Sequence, residues 1–327
     1  MGGYFIRRTL YAIPAMLVIS FVSFLLIQLP PGTFADTVAA EMMEGASVNE
    51  DAIRAIEERY GLNQPLLVQY WKWVSGIILR GDFGQSFIWN RPVGSLIWER
   101  LGYTLILTGS AFFFVCFVSI PIGIYSAVRQ HSVGDYVATC VGFLGLAVPG
   151  FLLALILMYV GFRYFGLSIG GFFSPEYARA PWDWDKYRDL LSHLWMPMIV
   201  VGLGGTTSLI RIIRANLLDE LLKPYVVTAR AKGLSELGLL LKYPVRLSLI
   251  PFVATLGWML PDLVSGATIV SVVMSLPTTG PLLLRALLGQ DMYLAASFIM
   301  LLSVLTVIGT LISDVLLAMV DPRIRFH

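Results

Sequence analysis

Charged residues are scarce in this 327-residue sequence, where Asp, Glu, Lys and Arg together make up 13% of the chain. Soluble domains carry about 25% charged residues, which cover their surfaces. The composition therefore excludes a disordered chain and disfavours a soluble enzyme. The formal net charge is only +2, so the sequence also lacks the basic field that proteins use to bind nucleic acid.

Cysteine and histidine are equally rare. The two cysteines, Cys116 and Cys140, lie inside apolar runs, and the three histidines are far apart in the sequence. Neither residue type has the spacing of a disulfide framework or a metal site. None of the five lysines follows a glycine, which excludes the phosphate-binding G-x-x-x-x-G-K-[ST] loop. We therefore expect no catalytic residue, metal site or cofactor in this chain, and no ATP hydrolysis by the chain itself.

Long apolar runs dominate what remains, since 57% of the residues are apolar. A helix needs about 20 mostly apolar residues to cross the hydrocarbon core of a membrane. Six runs are long enough: residues 9–29, 103–127, 137–165, 194–214, 251–275 and 294–320. The sequence predicts an all-α integral membrane protein with six transmembrane helices. Prolines inside several spans favour a packed bundle, because neighbouring helices satisfy the backbone groups that a proline frees.

Basic residues between the spans indicate the orientation. Segment 211–250 carries seven Lys and Arg residues close to two spans, and such segments stay on the cytoplasmic side. Both termini are then cytoplasmic. The predicted divisions are an N-terminus with the first helix, a large extracytoplasmic segment, a five-helix transmembrane core with a cytoplasmic loop at 215–250, and a cytoplasmic tail: residues 1–29, 30–102, 103–320 and 321–327.

The outer segment contains an aromatic stretch, Leu66 to Leu79, with Tyr70, Trp71 and Trp73. Such side chains suit a membrane–water interface. Two interpretations stay open at this point. The segment either meets an extracytoplasmic partner or forms a lid that packs on the helix bundle.

The cytoplasmic loop has the local signals of two short helices. Pro224 suits a first helical turn, and Tyr225 to Lys232 suits one short helix. Gly233 is able to take a positive φ and turn the chain, while Ser235 is suited to cap a second helix running toward Pro251. We expect a compact knob whose small residues at 229 and 231 let another surface come close. A plain solvated, positively charged loop is the alternative.

The residues of this loop carry a resemblance to a known family. The stretch Tyr225-Val226-Val227-Thr228-Ala229-Arg230-Ala231-Lys232-Gly233-Leu234 resembles the EAA motif of ABC importer permeases, in the Thr-Ala-Arg-Ala-Lys-Gly form of the oligopeptide/dipeptide branch. Residues 60–65, 80–86, 91–93 and 311–325 also look like this branch. Residues 271–280 depart from it, having Ser-Val-Val-Met and Pro-Thr-Thr-Gly where the branch commonly has Glu-Thr-Val-Phe and Pro-Gly-Leu-Gly.

The resemblance implies a six-helix, type I importer-like permease in a bacterial or archaeal cytoplasmic membrane. It implies four kinds of partner: a second homologous permease, two cytosolic ATPases that hold ATP and Mg, an extracytoplasmic binding protein and membrane lipid. It also implies that one short stretch is a coupling helix seated on an ATPase. The residues expected there are Tyr225, Thr228, Ala229, Arg230, Ala231, Lys232, Gly233 and Leu234.

Polar residues inside the fifth span are candidates for the translocation path. We name Asp262, Ser265 and Thr268, because carboxylates in a span usually face a cavity, a partner or a water path. For Asp262, a structural pairing with Arg163 or with the second permease is an equal alternative. The branch carries peptides, some metal chelates and some oligosaccharides, and we expect peptides or oligosaccharides here. A secondary transporter or channel, which would need no ATPase, is the alternative function.

Overall fold

The protein is almost entirely helical in a computed structural model that describes residues 2–28, 64–167 and 170–320. Within these ranges the chain forms eleven α-helices and no named strand, with a single antiparallel bridge between Gln85 and Pro92. The helices are α1 Gly2–Gln28, α2 Leu66–Arg80, α3 Val93–Val128, α4 Val133–Ala147, α5 Gly150–Phe165, α6 Trp184–Leu221, α7 Pro224–Ala231, α8 Glu236–Lys242, α9 Pro244–Val273, α10 Thr279–Leu288 and α11 Met292–Val320. The predicted tail 321–327 and most of the first outer segment lie outside the described residues.

Four helical stretches in the described ranges are long and apolar enough to cross a membrane, and a bent pair of helices makes a fifth if it counts as one span. The four are Val93–Val128, Trp184–Leu221, Glu236–Gly257 and Met292–Val315, of which the third runs from α8 into the first half of α9. The apolar stretch in α1, Ile13–Leu25, is shorter. The all-α membrane fold is confirmed, while the number of six spans stays a prediction.

The third predicted span, 137–165, is wrong as a continuous helix. The chain breaks between α4 and α5, which meet at a bend of 107°. Pro149 stands at the break with φ −56° and ψ 137°, an extended conformation that caps α5. Proline also disfavours helical geometry at the residue before it, so the break falls at Val148 and Pro149. The sequence contained this signal, but a proline in a span is compatible with either a kink or a break.

The chain divides into two compact units, Tyr103–Pro277 with Leu305–His327 and Gly2–Gly102 with Thr278–Val304. We name them the core unit and the flanking unit. In the core unit, buried Leu209 and Ile213 of α6 pack in one apolar cluster with Phe252 and Leu263 of α9 and Val115 of α3. These contacts hold together the two helices that carry the site described below.

Glycines bring the other helices of the core unit close to α6. A Cβ built on Gly202 would lie 2.8 Å from Cδ1 of Phe114 in α3, and one built on Gly142 in α4 would lie 2.9 Å from Cγ2 of Thr207. Larger residues would force these helices apart. Small residues at helix contacts are the usual means of close packing inside membranes.

An ion pair also fastens α4 to α6 in the core unit. Arg214 donates from Nε and Nη2 to the two carboxylate oxygens of Asp135, at 3.1 and 3.0 Å. The backbone N–H of His131 donates to the same carboxylate at 3.0 Å. The carboxylate is buried and fully engaged. This arrangement meets the requirement that a buried charge be paired and hydrogen-bonded.

The flanking unit has its own aromatic core. Phe24, Tyr70 and Trp73 are buried together, the Tyr70 hydroxyl bonds Ser20 Oγ at 2.8 Å, and Trp73 Nε1 donates to Ser297 Oγ at 3.3 Å. Two of the three aromatic residues expected at an interface thus lie inside, whereas Trp71 is 65% exposed. The stretch 66–79 therefore packs within this unit through one face of α2.

A buried carboxylate organises the turns of the flanking unit. Asp291 lies directly before α11 and is fully buried. It accepts hydrogen bonds from the Ser86 hydroxyl and from the backbone N–H groups of Ile88 and Leu294, both at 3.3 Å. Burial raises the pKa of Asp291 despite these bonds. One side chain thereby links the 85–92 turn to the start of a long helix.

Candidate functional site

Helices α7 and α8 form a helical hairpin, residues 224–242, between the two long helices α6 and α9. Pro224 begins α7 at its first turn and Gly233 turns the chain with φ +80°, as the sequence predicted. The second helix is shorter than expected, because it ends at Lys242 and Pro244 begins α9. Ser235 stands at the cap position but its side chain makes no capping hydrogen bond.

The interior of the 224–242 hairpin is a small apolar core. Val226, Ala229 and Leu239 are buried there, with Tyr225, Leu234 and Tyr243 packed against them. Ala229 was expected to offer room to another surface, but the residue is only 8% exposed and packs with Leu239 of the hairpin's own second helix. A small residue at this position instead lets α7 and α8 approach each other.

Polar contacts hold the hairpin in one shape. Arg230 donates to Glu236 from Nε at 2.5 Å and from Nη2 at 3.0 Å, bridging the glycine turn. This bond lowers the pKa of the Glu236 carboxyl. The Tyr225 hydroxyl donates to Glu220 in α6 at 2.6 Å, and burial together with this carboxylate raises the pKa of Tyr225. The hairpin is thus tied internally and to the end of α6.

The outer face of the hairpin exposes both apolar and charged groups. Val227 is 60% exposed and Leu237 71% exposed. Neither residue belongs to the predicted coupling set. The exposed members of that set are Thr228, Arg230, Ala231, Lys232 and Gly233, whereas Tyr225 and Leu234 are half-buried. Exposed apolar side chains rimmed by polar ones are typical of an interaction surface. The geometry suits a rigid knob that docks on another protein.

A second feature is a cavity of about 280 Å³ in the core unit, within the predicted membrane spans. Its wall comes mainly from α6 and α9, with Leu146 contributed by α4. The lining residues are Leu146, Val201, Gly204, Gly205, Ser208, Leu209, Ile212, Thr255, Met259, Asp262 and Leu263. The structure therefore places Asp262, predicted for the path, on a cavity wall.

Ser265 and Thr268, also predicted for the path, do not line this cavity. Ser265 is exposed elsewhere on α9, and the Thr268 hydroxyl donates to the Val264 carbonyl at 3.1 Å. Ser208 and Thr255 supply the hydroxyls that the sequence analysis missed. The signal for Ser208 was the run Gly204-Gly205-Thr206-Thr207-Ser208, five small residues in the middle of a span.

The proposed pairing of Asp262 with Arg163 does not occur in the part of the chain that the structure describes. Asp262 makes no ion pair or hydrogen bond there, and its side chain is exposed. Within the same ranges, no group of three His, Cys, Asp or Glu side chains is placed to hold a metal ion.

Comparisons with known proteins agree with the resemblance seen in the sequence. Residues 119–326 match the family described as binding-protein-dependent transport system inner membrane component. Residues 1–108 match the N-terminal family of the same transport systems. The first match includes the 224–242 hairpin and the whole of α9.

Relatives match the chain from end to end. The chain is 35% identical to the oligopeptide transport system permease protein AppB of Bacillus subtilis (strain 168), covering 100% of both chains. It is 30% identical to the glutathione transport system permease protein GsiC of Salmonella choleraesuis (strain SC-B67), again covering 100% of both. On this evidence the chain belongs to the family of binding-protein-dependent transport system inner membrane components, and it is a multi-pass membrane permease of an importer and not an enzyme.

Proposed function

We propose that this chain is a peptide permease that works with a second homologous permease, two cytosolic ABC ATPases and an extracytoplasmic binding protein. ATP and Mg would be held by the ATPases, and both ends of the permease would lie in the cytoplasm of a bacterium or archaeon. The relatives named for oligopeptides and glutathione support a peptide cargo. They give no support to an oligosaccharide.

The observation that carries this proposal is the rigid 224–242 hairpin. It has an apolar core, an ion pair across its turn and an outward face with Val227 and Leu237. A knob that has its own apolar core and still exposes apolar side chains is suited to bind in a groove of a partner. We assign that partner as an ATPase subunit.

The short connections of the hairpin to α6 and α9 support a mechanical coupling mechanism. Two residues separate it from α6, and one residue separates it from α9. A displacement of the hairpin is therefore passed directly to the two helices that form most of the cavity wall. Closure of the ATPases on ATP would move the hairpin and bias the helix bundle between inward-open and outward-open states.

Replacement of Gly233 tests the coupling. A Trp at this position finds open space but must adopt φ near +80°, which costs an L-residue roughly 1–2 kcal/mol. We expect Gly233→Trp to insert into the membrane at the normal level and to lose ATP-driven uptake in proteoliposomes that contain the whole importer. Normal uptake by this variant would contradict the coupling role.

Gly81 offers a matched control. It has φ +65°, also with nothing within 4 Å of a built Cβ, but it ends α2 in the flanking unit. Gly81→Trp introduces similar backbone strain outside the hairpin, and we expect it to keep ATP-driven uptake. Uptake by the unaltered importer without ATP would instead indicate a secondary transporter.

A further inference from the structure

Among the residues that line the cavity between α6 and α9, three have polar side chains and one of these carries a charge. Most of its wall is apolar, and its polar side chains are Asp262, Ser208 and Thr255. No lysine or arginine is among these residues. The wall therefore presents one negative charge to whatever enters.

Asp262 takes part in none of the ion pairs that the described residues form. Arg163 does not pair with it, and Arg214, further along α6, is engaged by Asp135. An ionised carboxylate at membrane depth is costly unless it faces water or a cation. A site of this kind favours a positively charged occupant.

The hydroxyls on the same cavity wall limit the chemical nature of the occupant further. The Thr255 hydroxyl donates to the Phe252 carbonyl at 2.7 Å, so its oxygen remains an acceptor toward the cavity. A primary ammonium group has three donors and no acceptor. The Asp262 carboxylate matches such a group in charge and in hydrogen-bonding capacity. Thr255, about 10 Å away along α9 at 1.5 Å per residue, leaves its oxygen for another donor of the same occupant, whereas a bare metal ion would find a single charged ligand.

The size of the cavity also limits what it holds. The cavity volume of about 280 Å³ is slightly below that of typical ligand pockets, which span roughly 300–1,000 Å³. The space suits one end of a short peptide and not the whole of a long one. Apolar lining from Val201, Met259 and Leu263 suits the first side chain of such a peptide.

From these observations we propose that the cavity binds the protonated amino terminus of a peptide in transit, with Asp262 as its counter-ion. This inference rests on the proposed function, because it names the chemical group that a peptide permease recognises inside the membrane. A positively charged side chain of the second permease is the competing occupant. The two are separable by experiment.

Charge-selective labelling tests the cavity directly. Ser208→Cys is introduced into a chain with both native cysteines replaced by Ala, and the whole importer is purified. We expect a cationic methanethiosulfonate reagent to react with the introduced thiol roughly 10-fold faster than an anionic one, a ratio that Asp262→Asn abolishes and Asp262→Glu preserves. Trialanine should slow this labelling, whereas N-acetyl-trialanine, which lacks the charge, should not.

Transport supplies the second measurement. We expect Asp262→Asn to lower ATP-driven uptake of trialanine roughly 10- to 100-fold, the range for losing one charge-assisted hydrogen bond. Asp185→Asn removes an exposed carboxylate outside the cavity and should leave uptake intact. Assembly of each variant is followed by its copurification with the ATPases, so that misfolding is not mistaken for lost recognition.

The outcomes separate the two proposals. Unchanged peptide uptake in Asp262→Asn, or equal protection by trialanine and its acetylated form, overturns the amine site but leaves the peptide permease standing. An introduced thiol at position 208 that no reagent reaches shows that a partner fills the cavity, and it also overturns the site. Failure of the unaltered importer to take up peptide with ATP overturns both proposals.

Discussion

Asp291 shows how one side chain can fix two turns of the flanking unit. Asp291→Ala would leave the Ser86 hydroxyl and the N–H groups of Ile88 and Leu294 without this acceptor. Each unsatisfied buried group costs about 1–3 kcal/mol, so we expect the free energy of unfolding to fall by about 3 kcal/mol. Denaturant unfolding of the purified protein in detergent measures this loss.

Asp291→Asn is the matched control at the residue scale. It keeps one oxygen for Ser86 and Ile88 and removes a charge that burial disfavours, so we expect less than half of the loss caused by Ala. The raised pKa of Asp291 gives a second check. The stability that the protonated Asp291 carboxyl contributes is present at low pH and is lost as the pH rises through the raised pKa of the folded protein. The Asn variant should lack this pH dependence. A larger loss in Asn than in Ala would contradict this role.

Single residues of this kind were poorly predictable from the sequence. Asp291 and Ser86 are separated by 205 positions, and no local pattern marks either as buried. Ala229 was misjudged for the same reason, because only the packing of α8 shows which side of α7 it occupies. The glycine at 233 was predictable, since a positive φ at a helix end is a local requirement.

At the scale of the element, the two faces of the 224–242 hairpin can be tested separately. Val226 is buried inside it and Val227 lies outside, so adjacent valines separate folding from docking. We expect Val227→Glu, and likewise Leu237→Glu, to leave the hairpin folded and to reduce copurification of the ATPases at least 10-fold. Val226→Glu should instead disrupt the hairpin, seen as fast amide hydrogen exchange over residues 225–242.

The contrary result would be informative. If Val227→Glu and Leu237→Glu retain the ATPases at normal levels while Val226→Glu also retains them, docking must occur on another surface. A further variant, Leu241→Glu, changes an exposed residue near the end of α8. Its copurification with the ATPases measures how far the docking face extends along the hairpin.

Elements were more predictable than contacts, and the reason is local stereochemistry. Pro224 and Gly233 each determine the backbone geometry at their own position, so the start of the hairpin and its turn followed from the sequence. The boundary at Pro244 was not predicted. The break at Pro149 was missed because proline in an apolar run is compatible with a kinked or a broken helix. The choice depends on what packs around it, which periodicity does not reveal.

At the scale of the whole molecule, the location of the cavity depends on how α6 and α9 face each other. Thr255, Met259 and Asp262 form a stripe on α9 that faces α6 across the cavity. Ser265 and Thr268 lie about 4.5 and 9 Å further along the helix axis, at a rise of 1.5 Å per residue. The sequence placed polar residues in a span that borders the cavity, but the part of the span that borders it is set by tertiary packing.

A last prediction joins the hairpin to the cavity. In proteoliposomes with the ATPases facing outward, we expect a membrane-impermeant thiol reagent trapped inside, on the extracytoplasmic side, to label the Ser208→Cys reporter slowly without nucleotide. Trapping the ATPases closed with ATP and vanadate should raise the labelling rate at least 10-fold, because the hairpin moves α6 and α9 to the outward-open state. In Gly233→Trp this rise should be absent while Gly81→Trp retains it. A reporter thiol that labels at the same rate with and without nucleotide would indicate a static pathway. It would contradict the proposal that ATPase closure moves this permease through the 224–242 hairpin.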